Sequence, residues 1–355
     1  METIAIICPY PPGIAPGQRY RFELFLDGLE KRGYRVRLFS FLDQRTNELL
    51  YKSGFLVSKT LGIIKGYLRR VTHLFKIREA DYVFLYREAA PLGPPIFEWI
   101  IAKWMKKKII YDFDDAIWLP TISSANKLAG GFKWYSKVGS ICKWAYKISV
   151  GNDYLASYCR KYNNKVYVLP SVVNTKYPYN VVQDQYSGPI NIGWSGSFST
   201  LKHLQLVLPS LKAIQDEIDF TFFVIADIDP QLPLNKYRFI RWNKETETTD
   251  LLKFHIGLMP LIEDRYAKGK CGLKAIQYMA LGIPAVVSPV GVNSHLVDDG
   301  LNGYQCTTSE EWASKLTNLL KSVNVRVKMG SNARDKIIAQ YSVTAIEKDF
   351  WELFS

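Results

Sequence analysis

Residues 268–287, KGKCGLKAIQYMALGIPAVV, set Lys268, Lys270 and Lys274 around two glycines, Gly269 and Gly272. The apolar positions that follow, Leu273, Ile276, Met279 and Ala280, have the spacing of one helical face; Gly282 stands where a left-handed residue ends a helix, and Pro284 lies just beyond. A helix starting near Gly272 or Leu273 offers unsatisfied N–H groups and the positive end of its dipole to a loop that a ligand can approach closely. That is the chemistry of an anion site, and a diphosphate would rest on Lys270, Cys271, Gly272, Leu273 and Lys274. The alternative is a glycine turn before an ordinary core helix, with its lysines in solvent. A second run, INIGWSGSFSTLKHL, reads as a strand, then Gly193, Gly196 and Ser197, then a helix with Lys202 near its start. A first strand-to-helix turn of this kind holds phosphate or sugar groups in doubly wound domains; a tight turn without a ligand is the alternative.

Carboxylates cluster in YDFDDAIW, where Asp112, Asp114 and Asp115 end an apolar run. Beside a reaction centre, Asp112 or Asp114 could orient a hydroxyl, accept its proton or stabilise developing positive charge. Asp112 and Asp114 also form the Asp-x-Asp pattern of hard oxygen ligands, and either could instead cap a helix. In the first loop, PYPPGIAPGQRYRFE, the residues Gly13, Gln18, Arg19 and Arg21 stand at a helix entry, where arginines grip phosphate or carboxylate in two-pronged fashion. Arg87 and Glu88 follow the run DYVFLY in a similar place, with a structural ion pair between them as the alternative. Arg241 and Trp242, after YRFI, are candidates to hold a base. The four histidines have no metal-ligand spacing, so no metal site and no catalytic histidine are expected.

Positioning these residues takes an alternating series of strands and helices. TIAIICPY, then the helical spacing of Phe22, Phe25, Leu26 and Leu29 closed by Gly33, then YRVRLFSF, open a parallel α/β sheet. Further strands are expected at DYVFLY, KKIIYDF, YKISVGN and VYVLPS. Periodicity is lost over 174–189, and a second series follows in INIGWSGSFST, FTFFVIAD, YRFIRW, HIGLMPL and IPAVVS. The expectation is an α/β chain of two Rossmann-like, doubly wound domains, 1–180 and 181–335, facing each other across a cleft. Residues 336–355 form a closing helix that packs back on the first domain.

The length of 355 residues suits two domains, and no apolar run reaches the roughly 18 residues of a membrane span. With no leader pattern at METIAIICPYPPG, a cytoplasmic location is expected. Five scattered cysteines argue against disulfides or zinc. The net charge of +13 is unevenly spread: residues 1–180 hold 28 Lys and Arg against 14 Asp and Glu, and the remainder hold 18 against 19. Something anionic should therefore meet the first half. Residues 56–78 place Leu61, Ile64, Leu68, Val71 and Phe75 on one helical face with Lys65, Arg69, Arg70 and Lys76 elsewhere, and KWMKKK and FKWYSKVGSICKWAYK interleave lysines with aromatics. An anionic membrane surface fits that pattern; a core helix with a solvated charged side is the alternative. Nucleic acid is not expected, because no nucleic-acid motif accompanies the charge.

The run GKCGLKAIQYMALGIPAVVSPVGVNSHLVDDGLNGY resembles the donor-binding signature of glycosyltransferase family 4, written E-G-F-G-L-x-x-x-E-A-M-A-x-G-x-P-V-V. VYVLPSVVNT is similar to that family's I-P-N-G-V-D, and the opening loop and YSVTAIEKDFWELF extend the likeness over nearly the whole chain. The resemblance implies a GT-B fold, a nucleotide-sugar donor on the second domain, an acceptor on the first, and transfer with retention and without a metal or other cofactor. Gly269 and Gln277 replace the family's paired glutamates. Gln277 can still bond a ribose hydroxyl, since its carbonyl accepts and its amide donates. Ser197 and Lys202 have the spacing of the family's arginine and lysine, so only the lysine matches. Phe113 falls where the family has a histidine and Asp114 where it has an aspartate. The resulting expectation is a divergent hexosyltransferase that uses Lys202 and Lys274 on the leaving diphosphate, with a carbohydrate or lipid-linked acceptor, in surface polysaccharide building. Its location would be cytoplasmic, peripheral on the inner face of the plasma membrane. The rivals are a GT-B nucleotide-sugar epimerase and an inactive, membrane-associated binding protein.

Overall fold

The computed structural model describes residues 1–50, 52, 54–120 and 133–355. It divides into two compact units, Met1–Ser171 with Glu347–Ser355, and Val172–Ile346. The sequence places the divisions at 180 and 335 instead. Residues 172–180 belong with the second unit because Val173 bridges to Ser342, and because the Gln277 amide there donates to the Tyr179 hydroxyl at 2.7 Å.

In the first unit, β1 (Thr3–Cys8), β2 (Arg35–Ser40), β3 (Tyr82–Tyr86), β4 (Lys108–Phe113), β5 (Lys147–Val150) and β6 (Val166–Val168) form a sheet in the order β2-β1-β3-β4-β5-β6. In the second unit, β7 (Asn191–Ser195), β8 (Thr221–Ala226), β9 (Tyr237–Arg241), β10 (Ile256–Met259), β11 (Ala285–Val287) and β12 (Gly303–Gln305) follow the order β12-β11-β10-β7-β8-β9. Every pairing is parallel. Parallel sheets are covered on both faces, so their inner strands carry apolar residues without alternation. β1, β3, β10 and β11 accordingly have every residue buried.

The strand orders fix where ligands can sit. Order reverses between β1 and β3 in one sheet and between β7 and β10 in the other. Crevices open beyond the carboxyl ends of the strands at such reversals. The loops after β1, β3 and β4, and those after β7 and β10, are the ones that carry the candidate residues.

Two helices depart from the sequence pattern. The run Phe22–Leu29 is a broken segment, a helix at Pro16–Arg21, a 3-10 turn at Glu23–Phe25 and a helix at Leu26–Lys31. The break comes where Phe22 leaves helical geometry and packs its ring against Phe84 and Tyr86, at 5.4 and 5.6 Å. Leu56–Ile77 forms one helix that buries Gly62, Gly66, Arg70 and Ile77. Its apolar face, Leu61, Ile64, Leu68, Val71 and Phe75, is exposed, which overturns the core-helix alternative. Of the basic aromatic stretch 132–147, Phe132 lies outside the described residues, and Lys137 and Lys147 are buried rather than displayed. Among the described residues no helix is long and apolar enough to cross a membrane.

Candidate functional site

At the reversal in the second unit, β7 ends on Ser195, whose N–H and hydroxyl both meet the Tyr278 hydroxyl, at 2.8 and 2.9 Å. This ties the strand end to the helix Leu273–Ala280, which Gly272 caps in the left-handed conformation at φ 71°. With no side-chain cap, the first N–H groups of that helix lack intrahelical partners. A glycine is also required at 196: a Cβ there would lie 2.3 Å from the Trp194 ring and 2.7 Å from the Lys274 ammonium.

Lys274 sits 4.2 Å above the centre of the buried Trp194 ring, with its ammonium 3.4 Å from the Thr200 hydroxyl. It pairs with no carboxylate among the described residues. Burial and then the neighbouring Lys270 charge bring its pKa down to about 7. Lys202, on the turn after β7, is exposed, 3.7 Å from an Asp264 carboxylate oxygen. Lys270 lies over the Tyr266 ring at 4.9 Å. His203, next to Lys202 in the chain, is buried, its Nδ1 accepting from the Ile262 N–H at 3.0 Å. Burial, then Lys202, Lys274 and Lys270, hold its imidazole down to about 4. The positive charges of lysines on two loops thus act on one histidine. Sequence reasoning gave His203 no part, and only its place beside Lys202 hinted at one.

Other donor-side candidates are already engaged. Ser197 closes a capping box with Thr200, and the Phe198 N–H donates to Asp227 at 2.7 Å, so the turn after β7 satisfies itself. Cys271 and Gly272 are buried, and a Cβ at 272 would meet Val292 and Leu296 at 3.0 Å. The loop therefore presents Lys270, Leu273 and Lys274, which keep partial exposure. Gln277 is buried, its amide donating to the Tyr179 hydroxyl at 2.7 Å. Trp242 follows the edge strand β9 and donates its indole N–H to Glu247 at 3.1 Å. Among the described residues no three metal-ligating side chains come together.

In the first unit, the candidates separate into support and site. The Arg21 guanidinium and the Asp112 carboxylate form an ion pair, both almost fully buried. Arg21 also donates to the Ser149 hydroxyl and the Leu169 carbonyl. Neither charge is left to meet a ligand, which corrects Asp112 as a catalytic residue and Arg21 as an acceptor residue. Gln18, fully buried, bonds both backbone groups of Tyr10 and one oxygen of Glu23, whose other oxygen accepts from the Gly13 N–H at 2.8 Å. These residues shape the first loop. Arg19 stacks over Tyr20 at 5.0 Å.

Arg87, in the left-handed region at φ 59°, donates to Asp114 at 2.7 Å and to Asp115 at 2.6 Å, while Glu88 pairs with Lys137. The ion pair expected within Arg87–Glu88 is thus formed with other partners. The Tyr86 hydroxyl donates to Asp114 at 2.8 Å. Burial works to raise the Asp114 carboxyl, and Arg87 and Tyr86 outweigh it, so it stays ionised below its ordinary range. The backbone at Gly17 closes against this group: a Cβ there would fall 2.2 Å from the Tyr86 oxygen and 2.7 Å from Asp114. Gly17→Ala should cost about 1–3 kcal/mol in urea unfolding, with part restored by adding Tyr86→Phe.

Residues 189–322 match the family model of glycosyl transferases group 1. The group 1 match spans both lysine loops. A curated relative, N-acetyl-alpha-D-glucosaminyl L-malate synthase of Bacillus anthracis, is 24% identical over 168 residues, 44% of this chain and 43% of its own. The match thus spans less than half the length of that relative. The chain superposes on sucrose-phosphate synthase from Thermosynechococcus elongatus with a TM-score of 0.73 at 13% identity, covering 100% of this chain and 98% of that one. For Anabaena HepE, solved with UDP and glucose, the values are 0.68, 14%, 100% and 99%. The fold is α/β of the GT-B class.

Proposed function

We propose that the protein is a glycosyltransferase that moves a sugar, with retention and without a metal, from a nucleoside diphosphate to a carbohydrate or lipid-linked acceptor. The observation that carries this reading is the Lys274 ammonium beside Thr200 and over the Trp194 ring, joining the loops after β7 and β10 at the strand reversal where doubly wound sheets bind ligands, with Lys202 and Lys270 on the same two loops. As the sugar leaves, negative charge grows on the diphosphate. Fixed cations in a partly dry site stabilise that charge more than water does, and such stabilisation is usually the largest catalytic contribution. Lys274 would take up its proton as the phosphates arrive, so the charge is recruited by the ligand. The complex of HepE with UDP and glucose makes a uridine nucleotide the first donor to try. On the acceptor side, Asp114 is held ionised by Arg87; a carboxylate of low basicity suits orientation of a hydroxyl better than removal of its proton. Building of a surface polysaccharide from the cytoplasmic side is the setting that fits this substrate pair.

Screening uridine, guanosine and adenosine diphosphate sugars by melting temperature tests the donor, because a ligand at about 100 times its Kd stabilises by about 2.7 kcal/mol. One base should shift the melting point, and labelled sugar from that donor should appear on an acceptor. Interconversion of free nucleotide sugars without transfer would indicate an epimerase. Binding with neither reaction would indicate an inactive relative.

A further inference from the structure

We propose that the helix Leu56–Ile77 is a docking surface for an anionic lipid bilayer. The helix lies flat on its own unit through small residues. A Cβ at Gly62 would meet Thr46 at 2.4 Å, and one at Gly66 would meet Phe41 at 2.5 Å. One turn further, buried Arg70 donates to the carbonyls of Cys8, Phe39 and Ala89. Gly62, Gly66 and Arg70 therefore define the inner face.

The outer face is apolar. Val57, Leu61, Ile64, Leu68, Val71 and Phe75 are between 47% and 73% exposed. At 100° per residue they centre roughly 180° from the inner face. Six large apolar side chains in one open stripe are more than scattered surface hydrophobics, and such patches mark contact sites.

Charge selects the occupant. The helix contains no Asp or Glu; Lys65 and Lys76 are exposed and Lys59 partly so, while Arg69 pairs with Asp43 at 2.8 Å and Arg70 belongs to the inner face. The segment Ile96–Trp104 packs beside it, with Phe97 meeting Tyr67 at 6.2 Å between ring centres. That neighbour leaves Ile96, Trp99 and Trp104 exposed, and tryptophan favours the level of lipid headgroups. The whole stretch 1–180, with 28 basic against 14 acidic residues, is drawn to negative surfaces. A second copy of the helix would lay one all-basic element against another, without the opposite charges that pair coiled-coil helices.

Cosedimentation of the full chain with vesicles tests this. The chain should pellet with phosphatidylglycerol-containing vesicles, much less with phosphatidylcholine alone, and release as salt rises and the screening length falls. Leu68→Ser and Phe75→Ser should each weaken vesicle binding roughly tenfold or more. Both variants should melt like the parent, since the truncated side chains are exposed, and both should bind UDP unchanged. Equal binding to both vesicle types, no binding to either, or variants that bind as the parent does would overturn the proposal. So would a dimer in sedimentation velocity that the same substitutions dissociate, which would assign the stripe to a second copy. Neither result depends on the donor reading.

Discussion

Lys274→Met should weaken UDP binding by about 100-fold in calorimetry, the scale of a lost charge-assisted hydrogen bond of about 3 kcal/mol in a partly dry site. The same variant should be more stable than the parent when no nucleotide is present. Burial and Lys270 depress the Lys274 pKa to about 7, against an unfolded lysine near 10.4. Between these values the unfolded chain binds more protons, so the parent's stability rises with pH through that window. Below pH 7 both states are charged and the folded state carries the full cost of the partly buried ammonium. Methionine removes that cost. The gain in melting temperature should be largest at or below pH 7 and vanish toward the upper end of the window. Lost affinity with a raised melting point separates a binding lysine from a structural one, whose removal would lower both.

Asp112→Ala should lower unfolding stability by about 3–5 kcal/mol in urea titration, because it leaves the Arg21 guanidinium buried without its counter-charge. Arg21→Met should do the same from the other side. Replacing both, with Asp112→Leu and Arg21→Met together, should recover much of the loss, since an apolar pair of similar volume escapes the desolvation of two ions. Below its melting point Asp112→Ala should keep most of its turnover. A selective loss of turnover at full stability would instead make Asp112 part of the chemistry.

Two of these expectations differ from what the sequence suggests at the same residues, and the reason is the same. Residue type and spacing report local geometry well. Gly272 at the start of the helix, Gly282 with φ 68° at its end, and the strand runs DYVFLY and IPAVVS all rest on interactions within a few residues, and all are formed. Which partner a side chain meets across the fold is set by distant segments. Asp112 and Arg21 are 91 residues apart, and Gln277 and Tyr179 are 98 apart. No local pattern marks those pairs. Spacing in Leu56–Ile77 defined an apolar face correctly, but only the close approach at Gly62 and Gly66 decides that this face points outward. The lysine cluster was legible as far as its members, because Lys202 and Lys274 follow the strands that sit at the reversal. His203 was not, because its importance lies in what surrounds it.

UDP titration by calorimetry at pH 8, in two buffers that differ in ionisation enthalpy, addresses the diphosphate site most directly. With Lys274 near 7 when free, and paired with phosphate when bound, binding should take up about one proton per nucleotide at that pH, and Lys274→Met should abolish the uptake. Tight binding with no proton uptake, unchanged by the substitution, would place the phosphates away from Lys274 and contradict the site.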